Sequence, residues 1–140
     1  MSAAAKLPQG TTAWFEMVGT LMCAAASRAG FAPDLNWSLV ERYSDGVTLP
    51  NGRIQGIRFA IVNGAPSFDV GVDKDERGDV TIEVSAAAAR ELNLICTADP
   101  AYVIARDRAT RLRQIRVNGD LSPMADWLDA IHDSIVDHTG

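Results

Sequence analysis

Between Arg53 and Ser85, hydrophobic and polar residues alternate in three successive runs. Ile57, Phe59 and Ile61 alternate with Arg58, Ala60 and Val62. Phe68, Val70 and Val72 alternate with Asp69, Gly71 and Asp73, and Val80, Ile82 and Val84 with Asp79, Thr81 and Glu83. A period of two sends successive side chains to opposite faces of a sheet, so each run predicts a strand with one apolar face. Asn63-Gly64-Ala65-Pro66 and Lys74-Asp75-Glu76-Arg77-Gly78 separate the runs with turn-forming residues. Connections this short predict antiparallel neighbours, and hence a three-strand meander.

Helical spacing brackets this block. Trp14, Phe15, Val18, Leu21, Met22, Ala25 and Ala29 form one apolar stripe, with Thr11 or Thr12 as a cap and Gly30 as a stop. The stripe fits either core packing against the sheet or a lid over a ligand cavity. Trp37, Leu39 and Glu41 alternate with Ser38, Val40 and Arg42 before the Ser44-Asp45-Gly46 and Pro50-Asn51-Gly52 turns, which predicts a strand and a hairpin with an irregular tip. The alternative is that residues 53–62 form one long strand pairing back on Leu39 to Tyr43.

Downstream, Ser85 caps a short Ala-rich helix over Ala86 to Leu92. Asp99-Pro100 opens a longer helix reaching about Gln114, with Arg106, Arg108, Arg111 and Arg113 among its apolar positions. Ile115-Arg116-Val117 returns to strand alternation, and Asn118-Gly119-Asp120 turns. Ser122-Pro123 repeats the cap-and-proline start, and Met124, Trp127, Leu128, Ile131 and Ile135 give the cleanest amphipathic pattern in the chain. The order predicts one α+β domain over residues 12–137: a mainly antiparallel sheet of about five strands with helices mainly on one face. Residues 1–11, Ala-rich with Pro8 and Gly10, read as a flexible arm.

Composition narrows the classes. The chain has 140 residues, 47% of them apolar, which suffices for a real core. Its formal charge of −5 argues against a nucleic-acid partner and against adhesion to anionic membranes. The apolar stretch Trp14 to Ala29 is interrupted by Glu16 and Arg28 and is too short to span a bilayer. Cys23 and Cys96 are not part of a CxxC motif and read as two buried thiols of a reducing cytoplasm.

Catalytic signatures are sparse. His132 and His138 stand six apart, unlike the helical i, i+4 zinc pair, so no metal or other cofactor is expected. There is no G-x-S-x-G elbow, no P-loop and no dinucleotide fingerprint. Asp69, Asp73, Asp79 and Glu83 read as the wet face of the sheet, although two acids meeting across strands would provide an acid–base pair. The arginines after Pro100 fit either a solvated helix face or a site for an acidic head group. Met17, Met22 and Met124 add adaptable apolar surface, suited to a dry core or to a pocket for greasy molecules.

The run Asp79-Val80-Thr81-Ile82-Glu83-Val84-Ser85, a short helix, Asp99-Pro100 with a second helix, then Ile115-Arg116-Val117-Asn118-Gly119-Asp120-Leu121 and a closing helix resembles the sterol-carrier-protein domain. Val117, Gly119 and Asp120 match that family's strand-ending V-x-G-D, and the likeness extends from about Thr12 to Ile135. The chain departs from the family pattern in its turn-rich segment Ala32 to Gly52, its Arg-rich third helix and its more acidic last helix. The resemblance implies an apolar tunnel that binds a lipid, fatty acyl chain, acyl-CoA or sterol-like molecule, with no catalysis of its own. The expected walls are Trp14, Val18, Met22, Phe59, Phe68, Met124, Trp127, Leu128 and Ile131, with Arg106, Arg111 or Arg113 meeting a polar head. The alternative is a non-catalytic module that dimerises or serves a partner enzyme; a small enzyme with paired acids in the same cavity is a third reading.

Overall fold

A computed structural model describes residues 6–140. Five strands form one sheet: β1 (Trp37–Tyr43), β2 (Ile54–Val62), β3 (Ala65–Val72), β4 (Val80–Val84) and β5 (Ile115–Asn118). Four α-helices accompany them: α1 (Thr12–Ala29), α2 (Ala86–Leu92), α3 (Pro100–Arg111) and α4 (Ala125–Asp137). The α+β class and the five-stranded, mainly antiparallel sheet are as the residue pattern predicts.

The local signals act as their chemistry dictates. Thr11 Oγ1 accepts from the Trp14 amide at 3.2 Å and starts α1. Ser85 Oγ accepts from Ala88 N at 3.1 Å, and Asp99 Oδ1 from Ala101 N at 2.9 Å, capping α2 and α3. Val62 pairs with Ala65 across Asn63 and Gly64, both at positive φ, which makes the two-residue hairpin turn matching strand twist. Pro66 is tolerated because β3 is an edge strand. Ser122-Pro123 differs from its expectation. It opens a 3-10 turn over Ser122–Met124, and Asp120 accepts from Ser122 N at 2.9 Å, so α4 begins only at Ala125.

The strand order is β3-β2-β1-β4-β5, which corrects the meander. β1 pairs antiparallel with β2, which is the alternative given for residues 53–62, but parallel with β4. The short connection over residues 73–79 therefore does not fold β4 back on β3; it carries the chain past β2 and β1. It can do so because it lies across the sheet face opposite the helices, where polar groups fasten it. Glu76 pairs with Arg58 at 3.3 Å and approaches Arg53 at 3.9 Å. Arg42 donates to the Glu76 carbonyl and pairs with Glu83 at 3.6 Å. Gly78 N donates to Thr81 Oγ1 at 3.2 Å. Of the acids read as a wet face, Glu83 pairs with Arg42 and Asp79 accepts from Ser38 N at 2.9 Å, while Glu76, not among them, fastens the strap.

Gly119 explains the V-x-G-D motif physically. Its φ is +104°, and a Cβ there would collide with the Asp79 carbonyl oxygen. A glycine lets β5 turn away against the start of β4. The flexible arm differs in its described part, and residues 1–5 lie outside the described residues. Leu7 bridges Thr139, with Leu7 N donating to His138 O at 2.8 Å, and Trp14 Nε1 donates to Thr139 Oγ1 at 2.9 Å. Residues 6–8 are thereby stitched to the end of the chain beside α1. Cys96 is exposed and Cys23 half-buried, so the expectation of two buried thiols fails for Cys96.

The helices cover one face. α1 packs on β2, β3 and α4, whereas α2 and α3 pack on each other and α3 reaches β5. Phe68 rests on α1 at Gly19, where a Cβ would overlap the ring. Gly19→Ala is expected to lower unfolding free energy by about 1–3 kcal/mol, the usual cost of overpacking. Urea unfolding tests this, and the cost should shrink in a Phe68→Leu background. An equal cost in both backgrounds contradicts the contact.

Candidate ligand cavity

The helix layer is split between an α1–α4 group and an α2–α3 group, and a cavity of about 230 Å³ lies between them. Its floor is β1, β4 and β5, through Leu39, Glu41, Tyr43, Ile82, Val84, Ile115 and Val117, with Ile57 of β2. These residues occupy alternate strand positions, so one face of the sheet supplies the floor. The roof is helical: Trp14, Phe15, Val18 and Met22 from α1, Ala89 and Leu92 from α2, Tyr102 and Arg106 from α3, and Leu128, Ile131, His132 and Ile135 from α4. Arg106, Val117 and Asp129 line the cavity and are exposed, so it opens to solvent on their side.

Five of the nine expected wall residues, Trp14, Val18, Met22, Leu128 and Ile131, come together here, and so does Arg106. The other four lie elsewhere. Phe59 is fully buried under Trp127, ring centroids 5.2 Å apart, and Phe68 covers Gly19. Met124 is buried in the core at the start of α4. Trp127 lines a second cavity of about 270 Å³ with Leu21, Ala25, Arg28, Ala29, Ala130, Ile131 and Ser134. Its indole N–H is buried with no partner among the described residues. Ile131 lines both cavities.

Arg111 and Arg113 do not reach the cavity. Arg111 is exposed at the end of α3, and Arg113 follows at φ +59° where the helix has ended. Arg108 pairs with Glu91 of α2, and Arg116 with Glu83 at 3.4 Å. His132 turns Nε2 to the Ile95 carbonyl at 3.0 Å and sets its ring edge-on to Tyr102, centroids 4.7 Å apart. Asp133 accepts from Thr97 N at 2.8 Å and Thr97 Oγ1 at 2.9 Å. These bonds tie the loop before α3 to α4 and fix one wall. They hold the Asp133 carboxyl below its ordinary value.

Sequence reasoning missed Glu41 as a site residue. It stands on the central strand, facing the helices between Leu39 and Tyr43, and opposite Ile57 and Ile82 in register. Burial raises its carboxyl to about 7, with no hydrogen bond or opposite charge among the described residues to offset it. Tyr43 beside it is also raised by burial, although its hydroxyl accepts from Gln9 Nε2 at 2.9 Å.

No protein-family model matches the chain, and no curated protein sequence matches it. Solved structures do. A conserved hypothetical protein of Thermus thermophilus, described with its solution structure as possibly a sterol carrier protein, is 15% identical. It superposes over 99% of this chain and 96% of its own, with a TM-score of 0.52. The chain has the sterol-carrier-protein fold. Two further structures with this fold are more distant in shape. Sterol carrier protein 2 is 16% identical over 94% of this chain and 99% of its own, TM-score 0.48. Sterol carrier protein domain 2 of Helicoverpa armigera is 15% identical over 99% and 98%, TM-score 0.45. The assignment of fold rests on the first.

Within the sterol-carrier-protein fold of this chain, Glu41 predicts a pH signature. Its proton is held more tightly folded than unfolded, where such a carboxyl titrates near 4.5. Its contribution to stability is therefore fully present below about pH 4.5 and is lost as pH rises through about 7. The gap corresponds to at most about 3 kcal/mol. Glu41→Gln should raise stability over wild type by about 1–3 kcal/mol at pH 8 and by much less at pH 5. Urea unfolding at both values decides it; an identical difference at the two pH values contradicts the assignment.

Proposed function

We propose that this chain binds a hydrophobic small molecule of lipid, fatty-acyl, acyl-CoA or sterol-like kind in the cavity and carries it without catalysing its conversion. The observation that carries this reading is an apolar cavity in the gap between the two helix groups, open to solvent. An ordinary core closes such a gap, because voids forfeit packing contacts. The likeness of fold supports the reading in general terms only. No integral membrane contact is needed: no described helix is long and apolar enough to cross a membrane. Release into the cytoplasm or to a partner belongs to the same proposal.

Size limits the ligand. About 230 Å³ is below the roughly 300–1,000 Å³ usual for sites enclosing a drug-sized molecule. As it stands, the cavity takes a short chain or a compact ring system. A longer chain enters only if Ile131 moves and joins it to the second cavity. A medium-chain fluorescent fatty-acid analogue should therefore bind with micromolar affinity and shift the emission of Trp14, which lines the site. Ala89→Leu fills the cavity from α2 and should weaken binding at least tenfold while circular dichroism stays unchanged. Equal binding by this variant places the ligand elsewhere.

A second reading has its own observation. Val103 and Ile104 of α3 are 57% and 64% exposed, with Leu94 and Leu112 also exposed nearby in the sequence. Apolar groups left in water on one helix fit a module that dimerises or docks on a partner enzyme. Light scattering across a concentration series tests the homodimer form. That form predicts a dimer which Val103→Asp dissociates; a constant monomer mass removes it.

A further inference from the structure

The floor of the cavity carries one group for which a purely apolar ligand has no use. β1 is the middle strand of five, and Glu41 projects from its centre toward the helices. Its neighbours on the same strand face are Leu39 and Tyr43, and across the strands Ile57 and Ile82. The other glutamates of the sheet region are paired on the opposite face, Glu76 with Arg53 and Arg58, Glu83 with Arg42 and Arg116. Among the described residues, none pairs with Glu41. Glu41 is half-buried, facing the cavity. A partly desolvated carboxyl without a protein partner works against folding, and glutamine or leucine would fill the same place without a charge.

The remaining polar groups of the wall are engaged or peripheral. The Tyr43 hydroxyl is held by Gln9, and His132 by the Ile95 carbonyl. Tyr102 from α3 lies against the His132 ring. Arg106 of α3 and Asp129 of α4 are exposed at the opening. Asn93 at the end of α2 also lines the cavity, with an uncharged amide, so inside the cavity Glu41 is the free acidic acceptor.

We infer that Glu41 is the polar anchor of the cavity, and that the molecule bound is an amphiphile whose polar end donates a hydrogen bond to this carboxyl, a protonated amine being the strongest donor. This rests on the carrier reading and narrows it. The polar end enters first and meets Glu41, while the apolar body lies along Val18, Met22 and Leu128. Orientation is the reverse of one in which an acidic head stays at Arg106. Anionic amphiphiles are disfavoured, because a carboxylate at the floor repels them and both groups would lose water.

The test is displacement of the neutral fluorescent dye N-phenyl-1-naphthylamine at pH 8 by octylamine, octanol and octanoate, from wild type and from Glu41→Gln. In wild type, octylamine should displace at a concentration about tenfold lower than octanol, as a charge-assisted hydrogen bond gives, and octanoate should be weakest. In Glu41→Gln the amine advantage should fall to within about threefold, with octanol unchanged or tighter. Equal displacement by all three from wild type, octanoate as the tightest, or an amine advantage that survives Glu41→Gln overturns the inference and leaves the carrier reading intact. If neither the dye nor any of the three binds, both fall together. The wild-type order decides the question even where the variant folds poorly.

Discussion

The parallel pairing of β1 with β4 is the constraint on which the rest of the structure depends. Residues 54–72 leave β1 by a hairpin and fold back once more, and only a chain that then crosses under the sheet can set β4 on the free side of β1. That crossing widens the sheet beyond what α1 and α4 cover. α2 and α3 must cover the added half from a separate position, and the cavity lies where the two covers meet. Arg42 and Arg58 hold the crossing through Glu76 and the Arg77 carbonyl, on the face away from the ligand. The polar side of β1 thereby fixes the shape of its apolar side.

The two faces of β1 show how one strand performs both tasks. Ser38, Val40 and Arg42 point to the strap, and Leu39, Glu41 and Tyr43 to the cavity. Arg42 is 6% exposed, yet its guanidinium is satisfied by the Glu76 carbonyl and Glu83. Glu41, one residue away, has no such partner among the described residues. The contrast separates a buried charge that holds structure together from a half-buried carboxyl that faces the cavity without a protein partner.

Much of the fold was legible because it is written locally. Thr11, Ser85 and Asp99 cap where their side chains can reach a free amide, and Asn63-Gly64 turns because both residues tolerate positive φ. Strand order was not legible: alternation reports which face a residue takes, not which neighbour it meets, and a connection as short as residues 73–79 suits either a turn or a diagonal strap. The site was legible in part for the same reason. The stripes on α1 and α4 point inward, so Trp14, Val18, Met22, Leu128 and Ile131 meet. Phe59 and Phe68 are taken up by Trp127 and Gly19, Met124 is buried in the core, and Trp127 lines the second cavity. Arg111, five residues after Arg106, falls on another face of α3, and Arg113 lies beyond the end of the helix. Glu41 did carry a signal, in its alternation with Trp37 and Leu39, which places an acid on the apolar face.

The central claim is that the gap between the helix groups is a binding site and not a packing defect. Native mass spectrometry of the purified protein, followed by organic extraction of whatever is released, tests it most directly. The account predicts a bound species with an apolar body small enough for a cavity of about 230 Å³, lost from the Ala89→Leu variant. A bare chain mass for the protein as purified, unchanged after incubation with medium-chain amphiphiles, would contradict it.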